Sequence, residues 1–415
     1  MNLEATGQPW RILIATLLPR VVLIATLTLG IGANADERSQ ANRIHDRLAG
    51  VPASPAELDA LEQALVRNPL DAAFIAMEHP AFYNVTLKNF AAPWTNREAD
   101  VFVPLNDYTA TVIGMVRDNR DFRDILSANL VYHGAGVASV PSYSPSSNAH
   151  YEALEDQGID LQEELVSASQ SSLNGLPAAA TAGVITSRAA AKAFFIDGTN
   201  RAMFRFTLLN HLCTDLEQLQ DTTRPPDRIR QDVSRSPGGD SRVFLNNCVG
   251  CHSGMDPMAQ SFAFYNYSYN PENDAEGQNG RITYNSGSNV GGVDGETGTR
   301  VHEKYYNNDS TFPQGFRTPD ESWSNYWREG RNAIHGWSAS LPGSGSGAKS
   351  MGQELAHSET FASCQVEKVF ENVCIRAPAD QADRSQIASM VSSFKNSGYN
   401  LKQVFAESAV YCMGE

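Results

Sequence analysis

"NNCVGCHSGMDP", residues 246–257, places two cysteines three positions apart with a histidine directly after the second. C-x-x-C-H is the attachment signal of c-type haem, in which Cys248 and Cys251 supply the bonding thiols and His252 an axial imidazole for iron. Six cysteines and nine histidines in 415 residues produce about 0.002 such matches from frequency alone, so accident is a poor account of it. A zinc site or a thioredoxin-like dithiol would need helices and strands alternating around the motif, and no such alternation is visible. No second CxxCH occurs, so the expectation is one covalently attached haem c.

Outward from the motif the pattern is mainly α, with helical domains around the haem site and long Gly/Asn-rich loops. Asp240 is placed to cap a short helix carrying Val243, Phe244, Asn247 and Cys251, which Gly254 would end. In "SRAAAKAFFIDGTNRAMFRFTLLNHLC", Thr199 is the expected cap and Met203, Phe206, Leu209 and Cys213 the inward face. Residues 266–347 hold 13 of the 31 glycines and 10 asparagines, which predicts loops or short hairpins. Within them "NPENDAEG" and "VDGETG" read as solvated turns, since neither matches a calcium loop. Arg228, Arg230 and Arg235, upstream of the motif, are placed to meet haem propionates or solvent.

Ser54, Pro55 and Glu57 form a capping box with proline at the first helical position, followed by a Leu58, Leu61 and Leu65 stripe. Asp107 is placed to cap a second helix, and "FYNVTLKNFAAPWTN" between the two has no clean period. At the other end Ser358 opens a helix with Phe361, Val369 and Val373 inward. "RSQIASMVSSFKNSG" follows with Ile387, Met390 and Phe394 and stops at Gly398, and "NLKQVFAESAVYC" carries Leu401, Val404 and Phe405. The boundaries that result are 1–35 signal peptide, 36–134 N-terminal helical domain and 135–186 loop-rich connector with a short acidic helix. Residues 187–350 form the haem domain with its loop insertion, and 351–415 the C-terminal helical domain.

The leader reading rests on Arg11 and Arg20, an apolar stretch from Val21 to Gly32, and Ala33-Asn34-Ala35 as cleavage site. Pro19 and Arg20 leave the continuous apolar part too short to span a bilayer, so the mature protein is read as periplasmic or otherwise exported with no membrane span. An oxidising compartment suits the remaining cysteines, Cys213, Cys364, Cys374 and Cys412, as two disulfides. Three pairings are open; the short separation favours Cys364 with Cys374, and elimination leaves Cys213 with Cys412. The formal charge of −15 becomes about −16 without the leader. That acidity argues against nucleic acid and anionic membranes and suits a basic redox partner protein.

The second axial ligand decides between electron transfer and catalysis. Met255 and Met258 follow His252 too closely to reach the opposite face. His302, about 50 residues on, is ranked first, then Met351, then His335. No hydrolytic constellation rises beside this one.

"CVGCHSGMDP", with Gly280 and Arg281 further on, resembles the C-x-x-C-H-x-x-[MI]-D-P block of cytochrome-like domain families of unknown function first noticed in planctomycete genomes. The tail "ELAHSETFASCQVEKVF…SSFKNSGYNLKQVFAESAVYC" is similar to the helical domain that follows that block, and "RIHDRLAGVPASPAEL" to the one that precedes it. The resemblance touches about half of the mature chain and implies covalent haem and export, with no assigned reaction. The insertion after "MDP" is longer than in those families, so no distal ligand carries over. The reading is an exported monohaem c-type cytochrome passing single electrons, its size suiting a subunit of a larger redox complex. Alternatives are a haem enzyme with an open iron site, peroxidase-like or otherwise oxidoreductive, and a structural haem-containing subunit. Whether any substrate is turned over is left open.

Overall fold

The computed structural model describes residues 36–196, 200–229, 241–287, 292–305 and 316–414. The leader at 1–35, the caps expected at Thr199 and Asp240, and Arg230 and Arg235 lie outside them.

Helices dominate, and most begin where a short polar side chain meets an apolar stripe. α1 (Glu37–Ala49) starts at Asp36, whose carboxylate accepts the Ser39 amide. α2 (Pro55–Arg67) carries the expected capping box, with Glu57 Oε2 accepting the Ser54 amide at 2.8 Å. α3 (Pro69–Ala76) begins at Asn68. The stretch read as irregular is helical: a π turn over Phe82–Leu87, one α turn over Lys88–Ala91 and a 3-10 turn over Ala92–Thr95. Changing pitch along this run blurs any single period, and the burial of Phe82, Tyr83, Phe90 and Trp94 holds it in place of propensity.

α4 (Asp107–Arg117) is capped by Asn106, which accepts the Tyr108 and Thr109 amides. Asp107 performs a different task. Its carboxylate accepts the Arg188 and Ala189 amides at 2.6 and 3.0 Å, so beside the N-cap Ser187 it caps α5 (Arg188–Phe195) from 81 residues away. Between them a two-stranded antiparallel ribbon, β1 (Val131–Gly134) with β2 (Leu165–Ala168), crosses the segment expected to be loop-rich.

α6 (Asn200–Leu212) buries Met203, Phe204, Thr207, Leu208 and His211, one step from the face expected through Phe206 and Leu209. α7 (Val249–Ala259) follows a π turn over Phe244–Cys248. The Gly/Asn-rich region forms two short hairpins, β3 (Tyr265–Ser268) with β4 (Arg281–Tyr284) and β5 (Ser322–Ser324) with β6 (Ser344–Ser346). Its acidic segments are turns: Asp274 accepts the Gln278 and Asn279 amides, and Asp294 those of Glu296 and Thr297.

α8 (Gly347–Ala356), α9 (Glu359–Cys374), α10 (Gln381–Asn396) and α11 (Leu401–Tyr411) complete the chain. Ser358 caps α9 as expected, and Gly398 at φ 72° ends the α10 turn in the left-handed region. α11 packs on α1, α3 and α9, and Phe405 meets the rings of Phe82 and Phe90 edge to face at 5.3 Å. One core therefore runs from Ala41 to Ala409, and residues 35–415 form one unit. The N-terminal, CxxCH-bearing and C-terminal segments share that core. Among the described residues no helix is long and apolar enough to cross a membrane.

The disulfides are Cys213–Cys364 and Cys374–Cys412, with Cα–Cα distances of 5.4 and 5.5 Å. This corrects the pairing expected from separation. Cys364 and Cys374 both lie on α9, where ten residues at the helical rise put them about 15 Å apart, beyond a disulfide's reach. Non-reducing peptide mapping should recover the 213–364 and 374–412 cross-links and no 364–374 link. Opening them by serine substitution should cost about 5 and 4 kcal/mol, respectively, by chain entropy.

Candidate functional site

The motif sits at the start of α7, where the expectation put it at a helix end. Cys248 closes the π turn, and Cys251 and His252 occupy the first turn of the helix that continues past Gly254 to Ala259. Gly254 does not stop the helix; it makes room. A Cβ there would stand 2.0 Å from Trp327 Nε1, and the fully buried indole lies against this turn, stacked on Phe204 of α6 at 6.0 Å.

Because the helix continues, Asp256 lies one turn beyond His252 on the same face. His252 Nδ1 is 3.0 Å from Asp256 Oδ1, and Arg201 of α6 grips the same carboxylate with Nε at 2.8 Å and Nη2 at 3.1 Å. The Asp256 side chain is 0% exposed and that of His252 20%. Burial alone would push the Asp256 pKa up, but the Arg201 guanidinium and His252 hold it well below the usual carboxylate range. The imidazole is thereby oriented with Nδ1–H donating to a carboxylate, and among the described residues Nε2 has no hydrogen-bond partner. Asn200 adds a second tie from α6, its Nδ2 donating to the Ala259 carbonyl at 2.8 Å.

The loop after α6 lines the other side. The Asp221 amide donates to the Gly250 carbonyl at 2.8 Å, Ser253 Oγ to the Asp221 carbonyl at 3.1 Å, and the Cys251 thiol to the Leu216 carbonyl at 3.5 Å. That loop leaves α6 at Cys213, so the 213–364 disulfide anchors it to α9. Cys248 and Cys251 are the unpaired cysteines. Burial pushes the Cys251 thiol pKa up, the reverse of what a thiolate nucleophile or redox dithiol needs.

Two unpaired thiols beside an imidazole whose Nδ1 is held and whose Nε2 is open form a donor set that suits a covalently attached haem. The three residues expected as candidates for a second ligand separate. His302 sits by Asp294, Nδ1 to Oδ2 3.1 Å, and its amide donates to the carbonyl of Ala263, four residues past α7. Met351 is fully buried within α8. His335 Nδ1 lies 2.9 Å from Thr360 Oγ1, and its ring lies 5.8 Å from Trp337. None of the three hydrogen-bonds or stacks with His252. Met255 and Met258 are core residues, and Arg228 donates to Ser324, Gln260 and Ser322.

Sequence reading passed over Arg201 and Trp327, and quoted Asp256 without a role. The signal for Asp256 was its i+4 spacing from His252, masked by the assumption that glycine ended the helix. A cavity of about 870 Å³ lies elsewhere, lined by Arg97, Asn106, Asn148, Arg188, Lys192 and Gln278 among others and by none of the motif residues. Comparison with family models, curated proteins and solved structures returned no match.

Two glycines of the motif helix provide a paired test. Gly254→Ala must displace Trp327 and should lose about 2–3 kcal/mol of unfolding free energy. Gly250→Ala meets only ordinary contacts near 3.5 Å and should be neutral or gain up to about 1 kcal/mol from helix propensity. Urea unfolding of both variants checks this, and equal effects would contradict the packing role of Gly254.

Proposed function

We propose that the protein is an exported monohaem c-type cytochrome that passes single electrons to and from a redox partner protein, by itself or within a larger complex. One observation carries the reading: Cys248 and Cys251 stay unpaired next to His252 in a chain whose other four cysteines form two disulfides. The disulfides are compatible with an oxidising, exported setting, and the acidic charge of −15 favours a basic partner.

In this reading Cys248 and Cys251 would anchor the haem and His252 would hold its iron through Nε2. The haem supplies a one-electron couple. The chain's own contribution is orientation and basicity. Asp256 fixes the ring by accepting from Nδ1, and its negative charge makes the imidazole a stronger donor. Arg201 pulls on the same carboxylate and moderates that effect. His302 would be the first candidate for a further protein ligand, because its backbone is tied to the chain just past α7.

A reduced-minus-oxidised visible spectrum, with and without carbon monoxide, tests the proposal on protein exported from a host that matures c-type cytochromes. Sharp c-type bands indifferent to carbon monoxide are expected for electron transfer. A large carbon monoxide shift would favour a haem enzyme with an open iron site, and absence of haem bands would overturn both. Asp256→Asn keeps the shape and removes the charge. It should retain covalent haem while raising the midpoint potential by on the order of 50 mV, measured by spectroelectrochemical titration.

A further inference from the structure

A second cluster of ligating side chains lies on the N-terminal helices. His45 of α1, Glu57 in the first turn of α2 and His79 in the turn after α3 bring one ligand atom each to within 4.8 Å of one another. The two imidazole rings meet edge to face at 5.3 Å, and His79 Nε2 is 3.8 Å from Glu57 Oε1.

His45 distinguishes this cluster from a chance meeting of polar groups. It is 1% exposed, its Nδ1 lies 3.0 Å from the Val51 carbonyl, and its Nε2 is buried with no hydrogen-bond partner. A carbonyl can only accept, so Nδ1 carries the proton and Nε2 presents a bare lone pair toward the cluster. Leaving that acceptor buried and unmatched is costly. A histidine held by a backbone carbonyl at one nitrogen and open at the other is the usual posture of a metal ligand. Glu57 divides its work: Oε2 accepts the Ser54 amide in the capping box, leaving Oε1 for the cluster.

We infer that His45, Glu57 and His79 form a binding site for a divalent cation of the zinc class, with two imidazoles and one carboxylate as ligands and water completing the shell. Imidazole and carboxylate together suit zinc and its late first-row neighbours better than calcium or magnesium, which prefer all-oxygen shells. Glu57 and His79 side chains are 42% and 27% exposed, which gives an ion a way in. One group resists: His79 Nδ1 accepts the Ala81 amide at 3.1 Å, which puts the ring proton on Nε2. Ligation moves that proton to Nδ1 and forfeits one hydrogen bond, a cost of about tenfold in affinity that two metal–nitrogen bonds exceed. The ion would tie α1, the start of α2 and the exit of α3 at one point.

The test is titration of the full exported chain with Zn²⁺ at pH 7.5, followed by calorimetry and thermal unfolding. It is run on the exported protein with any free thiols first blocked by iodoacetamide, so that the motif cysteines contribute nothing whether or not they carry haem. One equivalent should bind with a dissociation constant of about 10 μM or tighter, and saturating Zn²⁺ should raise the unfolding midpoint by several degrees. His79→Gln and Glu57→Gln lie at the accessible edge, and glutamine preserves the capping box. They should weaken binding at least about 30-fold and 10-fold, respectively, and abolish the midpoint shift. Absence of a bound equivalent, or binding that both variants leave intact, would overturn the site.

Discussion

A carboxylate with no exposed surface governs the arrangement around the motif. Asp256 is ionised inside the protein because Arg201 and His252 meet it from two sides. Separating Arg201 from it would leave an uncompensated buried charge, a loss on the order of 3–5 kcal/mol, whereas losing His252 would forfeit one hydrogen bond. The pairing therefore sets how α6 lies against α7. Once that is set, Phe204 of α6 stands where Trp327 can stack on it, and the indole finds its space over Gly254.

The far end of α6 is held by covalent chemistry. Cys213 directly follows its last turn and bonds Cys364 on α9, and the loop that departs there returns to the motif through Leu216 and Asp221. Thus α6 is locked electrostatically at its start and covalently at its end. The second disulfide, Cys374–Cys412, joins the end of α9 to the end of α11, and α11 in turn closes on α1 and α3. The first and last helices of the described chain share a core with the motif helix through this sequence of ties.

Local rules carried much of the helical pattern. The Ser54 box, the Ser358 cap, the Gly398 stop and the burial of Val369, Val373, Met390 and Phe394 could all be read from spacing, because each depends on residues within a turn or two. Tertiary choices were not legible in the same way. Asp107 looks like the cap of its own helix, yet it serves α5 across 81 residues while Asn106 takes the nearer task. Cysteine pairing followed topology in place of separation, since two cysteines ten residues apart on one straight helix cannot meet. The run at 82–95 defeated pattern reading because three helical pitches follow one another and no single period survives.

Gly254 shows how one misread residue hides a site. As a helix stop it would have placed Asp256 outside the helix, with no reason to face His252. As a packing gap it lets α7 run on, and the i+4 geometry then delivers the carboxylate to Nδ1 without any further element. The surroundings of Cys251 bear on the proposed reading of the motif. A redox dithiol works through a stabilised thiolate, whereas Cys251 is half-buried with its thiol pushed toward the neutral form. Covalent attachment to haem consumes both thiols during maturation and needs no thiolate in the finished protein. In the proposed reading it would need an imidazole with one nitrogen held and the other open, and the Asp256–Arg201 pair holds His252 that way.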